Sequence, residues 1–244
     1  MYKNVNSFIC PSSIVKTILT KEKISKNASV VVVGNPVNLD VYQPNKTKIK
    51  ESTEEFQILY FGRIHKEKGV HLLVKALSLL HSKGFKIKLK LIGPFKEQEG
   101  GSGIDYFNDL NRIFNNINYV EPISNPKILS EHIHESDIFC YPSLAENGET
   151  FGVSVIEAMA CGKPVVVSEL SCFTDFVENN KNGMIFNHKS KNNVNDLSDK
   201  IQFLIENKEL REKLSKNAVE TSKFYSNEYI SKQHIDNFKE LYSA

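Results

Sequence analysis

The sequence predicts an α/β fold built on a doubly wound parallel sheet, and three observations carry that prediction. Short apolar runs of strand length recur between residues 56 and 186. Runs with apolar residues at helical spacing separate them. Glycine, proline or polar turn residues follow most of the apolar runs. Strands that alternate with helices are joined by right-handed crossovers, which gives a parallel sheet covered on both faces. Ligands of such sheets sit outside the carboxyl ends of the strands. Arg63, Gly93, Glu121, Ser143 and Glu149 each follow an expected strand directly or nearly so, and are expected to face one crevice.

SFIC at 7–10 is the first expected strand, closed by Pro11. Ser12 or Ser13 caps a helix to about residue 20, with Ile14, Ile18 and Leu19 on one face. SVVVV at 29–33 is a second buried strand, and GNPVNLD at 34–40 breaks the pattern with turn residues. Two strands and one helix are too little for an independent core, so residues 1–33 read as the last piece of a domain. The polar stretch 41–55 extends the break into a linker over 34–55. FQILYF at 56–61 is a strand, followed by a turn at 62–69. Val70, Leu73, Val74, Leu77 and Leu80 then mark one face of a helix. Strands follow at 87–92, 117–120, 137–141, 165–167 and 183–186, with helices at 106–114, 126–134, 153–160 and a short one at 173–178. The Gly-rich segment 95–103 reads as a flexible loop, with a lid as the alternative. Leu197, Ile201, Leu204 and Ile205 mark another helix; Leu210, Leu214 and Ala218 mark one more. Residues 228–242 form a final helix.

The composition is that of a globular protein, with 40% hydrophobic and 25% charged residues. A formal net charge of +2 gives no argument for nucleic acid as a partner. No run approaches the length of a membrane helix and the N-terminus lacks a signal-peptide pattern, so a cytoplasmic location is expected. Cys10, Cys140, Cys161 and Cys172 have neither metal-type nor redox-type spacing and are expected to be reduced and mostly buried. His132 and His134 lie off a shared helical face and are expected at the surface. Lys163 reads as a helix-end cation.

Two stretches carry candidate chemistry. In ENGETFGVSVIEAMACGKPVVVS, residues 146–168, the carboxylates Glu149 and Glu157 bracket a helix start. With a helix beginning near Phe151, the amides of Phe151, Gly152 and Val153 are free donors at its N-terminus, where phosphate binds. Gly152 then allows a ligand close to the backbone. Glu157 lies about 9 Å further along. Two carboxylates so placed bind hydroxyls on opposite sides of a diphosphate. On spacing alone, a helix-start acid plus a solvated or salt-bridged glutamate fits equally well. The second stretch is the turn GRIHKEKG at 62–69, with Arg63 and Lys68 between Gly62 and Gly69. Arginine suits bidentate phosphate binding and lysine acts as a point charge. The competing reading is a surface turn with solvated charges, and His65, Lys66 and Glu67 are expected exposed. No Asp-x-Asp pair exists, so a metal-clamped diphosphate is not expected.

Together these pieces resemble the C-terminal half of a retaining GT-B-fold glycosyltransferase, from the large group containing bacterial lipopolysaccharide and capsule glucosyl- and mannosyltransferases. The matching motifs are GNPVNLD at 34–40, FGRIHKEKG at 61–69, LIG at 91–93, YPS at 141–143 and ETFGVSVIEAMACGKP at 149–164, in the family's order. The resemblance implies a Rossmann-like donor domain over 56–226, after the remnant of an acceptor domain at 1–33 and the linker at 34–55. Residues 227–244 are then a C-terminal helix packing toward the N-terminal domain. Arg63 and Lys68 neutralise the donor diphosphate, Glu149 contacts the donor sugar and Glu157 holds the ribose. The amides of Phe151, Gly152 and Val153 bind phosphate or sugar oxygens, Gly62 lies beside them, and Ile123 flanks the base. No metal or separate cofactor is implied; the donor is a UDP- or GDP-linked sugar.

The implied reaction moves a hexose to a saccharide or lipid-linked acceptor with retention, in surface polysaccharide synthesis. Peripheral contact with the inner membrane surface follows from that pathway. The family's N-terminal domain is nearly absent here, so a second chain supplying it is one expected partner. Two alternatives stand beside the enzyme: a nucleotide-sugar-binding domain inactive on its own, and a GT-B-type sugar-nucleotide epimerase.

Overall fold

The computed structural model describes residues 5–22, 28–45 and 55–243. The middle of the expected linker, 46–54, lies outside the described residues.

The main sheet has six strands: β3 (Phe56–Phe61), β4 (Ile87–Ile92), β5 (Ile117–Val120), β6 (Ile138–Tyr141), β7 (Val165–Ser168) and β8 (Met184–Phe186). β1 (Ser7–Cys10) and β2 (Ser29–Val32) form a separate parallel pair. The main-sheet order is β5-β4-β3-β6-β7-β8, and every pairing is parallel. The chain runs outward from β3 to β5, then returns to lay β6 on the other edge of β3. That reversal places a crevice above the carboxyl ends of β3 and β6. The strands read as near-continuous apolar runs because helices cover both faces. All of β6 and β7 is buried, as are Ile58, Leu59, Tyr60 and Phe61 of β3.

The helices are α1 (Ser13–Lys21), α2 (Val70–Ser82), α3 (Gly103–Ile113), α4 (Pro126–Glu135), α5 (Val153–Ala160), α6 (Ser171–Thr174), α7 (Asn193–Glu206), α8 (Lys208–Ser222) and α9 (Asn227–Ser243). α2 buries Val70, Leu73, Val74, Leu77 and Leu80, the face its spacing predicts, with Leu72 and Ala76 added. Each such leucine contributes about 2 kcal/mol by leaving water, and Leu77→Ala removes about 2 to 5 kcal/mol. α2 starts where it does because of Gly69. Its φ is 68°, and a Cβ there would sit 1.9 Å from the Pro142 carbonyl oxygen. The loops after β3 and β6 therefore touch backbone to backbone.

Four expectations need correction. β2, expected as a buried strand, has Ser29 and Val32 exposed and Val30 and Val31 only half-buried. The apolar face of α1 is not buried: no residue of this helix is, and Ile18 is exposed. α1 is instead held at its start, where the Ser13 amide and hydroxyl donate to the two carboxylate oxygens of Asp175 at 2.7 and 2.5 Å. Segment 95–103 is not a loose loop. It contains a 3-10 turn at Glu97–Glu99, and its backbone bonds run from Gly103 to Phe95, Gly101 to Lys96 and Ser102 to Ile64. His132 and His134 are half-buried and bonded rather than free at the surface. His132 Nδ1 lies 3.2 Å from the buried Lys90 Nζ, and His134 Nε2 lies 3.2 Å from Ser130 Oγ. Lys163 does serve a helix end, that of α4: its Nζ donates to the His134 and Ser136 carbonyls. All four cysteines are free and buried.

The segment after β2 meets the segment before α9. The Val37 amide donates to the Tyr225 carbonyl at 2.7 Å, and Val37 bridges Ser226 in parallel. The Tyr225 ring packs 5.5 Å from that of Phe151.

Candidate functional site

The turn after β3 brings Gly62, Arg63 and Lys68 to the crevice. Lys68 is the buried cation, in a 3-10 turn capped by His65. A buried ammonium needs a partner, and Glu149 supplies it at 2.9 Å, with only 7% and 10% of the two side chains exposed. Arg63 is the exposed cation. Its Nη2 bonds the Glu67 carboxylate at 2.7 Å, and its Nη1 donates to the Gly100 carbonyl at 3.2 Å. Neither cation is solitary, as the turn's spacing alone had allowed. Glu67 and His65 are half-buried rather than exposed. Glu67 also accepts the Leu144 amide on its backbone carbonyl at 2.7 Å, which ties this turn to the loop after β6.

That loop carries Glu149 and leads into α5. The helix begins at Val153, two positions later than a start at Phe151, because Gly152 takes the left-handed conformation as N-cap (φ 95°). A Cβ on Gly152 would sit 2.5 Å from the Phe173 ring. The close approach that demands glycine is therefore to Phe173, not to a ligand. The Phe151 side chain is buried against Phe176 and Tyr225. At the helix start, the Val155 amide already bonds the Gly152 carbonyl. The amides of Phe151, Gly152, Val153 and Ser154 have no acceptor among the described residues.

Glu157 lies one turn into α5. Burial pushes its carboxyl up to about 7, and the Tyr42 hydroxyl, as a hydrogen-bond donor, pulls the other way. Tyr42 is itself buried. A cavity of about 270 Å³ joins this carboxyl to the neighbouring strand ends. Gly62, Arg63, Gly93, Ile123, Ser154 and Glu157 line it, with Phe61, Ile92 and Pro94 behind them. The structure thus brings Gly62, Arg63, Ile123 and Glu157 to one cavity. Glu149 and Lys68 form a pair at the other side of the α5 start, and Phe151 faces the core.

Sequence reasoning passed over Ser154, Glu67 and Tyr42. Ser154 had a signal: it precedes Glu157 by one helical turn and so shares its face. Tyr42 lay in a stretch read as polar linker, where one aromatic residue stands out only once its burial is known.

Such a site, with cations and free helix amides over a cavity floored by a buried carboxyl, suits a ligand with phosphates at one end and hydroxyls at the other. The profile of the family described as "Glycosyl transferases group 1" matches residues 41–221. The chain is 27% identical over 219 residues to a capsular polysaccharide biosynthesis glycosyltransferase of Staphylococcus aureus, covering 86% of this chain and 54% of that protein. It is 30% identical over 225 residues to an uncharacterized glycosyltransferase of Methanocaldococcus jannaschii, covering 91% and 56%. Its fold superposes on sucrose-phosphate synthase from Thermosynechococcus elongatus with a TM-score of 0.83 at 22% identity, over 99% of this chain and 59% of that one. The chain spans about half the length of the curated relatives it matches. With its parallel α/β sheet and a profile match over most of its length, the chain belongs to the glycosyl transferases group 1 family.

Proposed function

We propose that this chain is the donor-binding half, residues 56–226, of a retaining glycosyltransferase. It moves a hexose from a UDP- or GDP-linked sugar to a saccharide or lipid-linked acceptor, without a metal, in surface polysaccharide synthesis. One observation carries the reading: Arg63 from the turn after β3 and Ser154 and Glu157 from α5 come to a single cavity at the reversal of the sheet. In this reading the ribose hydroxyls bond Glu157, the base lies against Ile123, and the diphosphate takes the amides of residues 152–154. The diphosphate also competes with Glu67 for Arg63. Lys68 then stands beside the departing phosphate and Glu149 beside the sugar. Catalysis is leaving-group stabilisation and positioning. The surface-polysaccharide setting follows the name of the S. aureus relative. It puts the reaction in the cytoplasm, at the membrane face where lipid-linked acceptors lie. Among the described residues no helix is long and apolar enough to cross a membrane.

A second reading is a nucleotide-sugar-binding unit that needs another body for transfer. In that case residues 1–33 and the C-terminal helix 227–244 meet an acceptor domain supplied by a second chain. The test is a thermal-shift panel of UDP-, GDP- and ADP-sugars, since a ligand of the folded state raises its melting temperature by mass action. One nucleotide series is expected to do so; no shift with any overturns both readings. Transfer to a saccharide acceptor by the chain alone separates the first from the second.

A further inference from the structure

The loop that carries Glu149 is fastened at two places. At its start, the Leu144 amide donates to the Glu67 carbonyl. The second fastening comes from the far edge of the sheet. His188 follows β8, its side chain is 4% exposed, and its Nε2 lies 2.7 Å from the Glu146 carboxylate. Lys189 Nζ reaches the same oxygen at 2.9 Å. Beyond the second fastening the backbone makes a local turn, with Gly148 and Glu149 both donating to the Ala145 carbonyl. Residues 146–148 are exposed. Ala145, between the two fastenings, is buried with its amide on Ser143 Oγ, and Glu149 then meets Lys68 and the Tyr141 hydroxyl.

The ring's bonding is one-sided. Nδ1 of His188 is buried and has no partner among the described residues. A proton there would be an orphaned buried donor, which costs more than an idle acceptor lone pair. Nε2 is thus the ring's bonded nitrogen among the described residues, and it faces Glu146. An apolar residue would fill the space without the cost of burying an imidazole. The polar ring is repaid only by the bond to Glu146.

We propose that His188 is a positioning residue for the donor sugar: through Glu146 it sets the loop that places Glu149. The inference rests on the reading of Glu149 as the sugar contact. It adds a residue from the opposite sheet edge that touches neither nucleotide nor sugar. Loss of the His188–Glu146 bond should therefore leave the nucleotide's own contacts, Arg63 and Glu157, intact. Only the sugar's share of the affinity should fall.

The test is calorimetry on the full chain with UDP-glucose against UDP and GDP-mannose against GDP. In whichever series binds, His188→Ala should weaken the nucleotide-sugar about five-fold relative to its nucleoside diphosphate, the loss expected when one loop must be ordered on binding. His188→Gln, which keeps a donor in reach, should restore the ratio. Should His188→Ala fail to fold, Glu146→Ala removes the same bond from the solvent side, where 46% of that side chain is exposed. It should change the ratio equally. A ratio unchanged in Glu146→Ala, with both ligands still bound, overturns this inference and leaves the donor site standing. Binding of neither ligand class by the wild-type chain overturns the donor site and this inference with it.

Discussion

Glu149 and Glu157 sit at either side of one helix start, and each solves the burial of a carboxyl differently. Glu149 has a buried ammonium against it, Lys68 at 2.9 Å. Glu157 has no cation, only the Tyr42 hydroxyl, and burial raises it to about 7. The paired carboxyl ties its loop to the turn after β3. An unpaired one remains uneasy until something with hydroxyl donors arrives. The pair ties two loops of the fold together; the lone carboxyl costs the fold stability.

The sharpest way to break this contrast is Lys68→Met. It strands Glu149 as a buried unpaired charge and should cost about 3 to 5 kcal/mol in urea denaturation. The double change Lys68→Met, Glu149→Met should recover most of that loss, because two apolar side chains replace the pair. Failure to recover would mean that the pair organises the two loops beyond its own charges.

Glu157→Gln should act in the opposite direction. The folded carboxyl holds its proton more tightly than an unfolded one at the ordinary 4.5. The contribution of this carboxyl to stability is therefore greatest below pH 4.5, falls as pH rises from 4.5 to about 7, and stays lower above that. Gln removes the penalty and should stabilise the chain by roughly 2 to 3 kcal/mol above neutral pH, with no gain at acid pH. The same substitution should abolish nucleotide affinity. In the wild type, affinity for an intact nucleotide-sugar should fall about tenfold from about pH 8 to about pH 6, as Glu157 takes its proton. A flat profile would separate Glu157 from ribose binding.

Arg63→Ala should change stability by less than about 1 kcal/mol, since its pair with Glu67 is solvent-exposed. Its effect should appear in donor affinity, weakened at least about tenfold by loss of charge-assisted bonds. Tyr42→Phe should be the mildest. Removing the hydroxyl costs about 1 kcal/mol and moves the midpoint of the pH profile upward, because the one group that lowers the Glu157 carboxyl is gone.

The strands and most helices were legible because each depends on local apolar spacing: the α2 face and the apolar runs of β6 and β7 are read directly from residue order. The family's motifs likewise pointed to Arg63, Glu149 and Glu157. Partnerships across the sheet were not legible. Lys68 and Glu149 stand far apart in sequence, and only the reversal at β3 and β6 joins them. The start of α5 was misplaced because Gly152 is shaped by Phe173, a contact invisible to helix periodicity. The 95–103 segment looked loose because its glycines suggest freedom, whereas its backbone is bonded to Ile64 and its Gly100 carbonyl to Arg63.

The pairing of Val37 with Tyr225 and Ser226 has a mechanical consequence. The backbone leaves the large sheet toward β2 at the place where it also leaves toward α9. Two strands of chain held side by side resist torsion about their common direction and yield to flexing across it, as a strap hinge does. The Ser13–Asp175 contact is a catch set off that line. Separating the β1–α1–β2 unit from the large sheet would thus have to break the Ser13–Asp175 bonds, while the Val37 pairing could hold. A covalent tie between positions 13 and 175 would lock that unit.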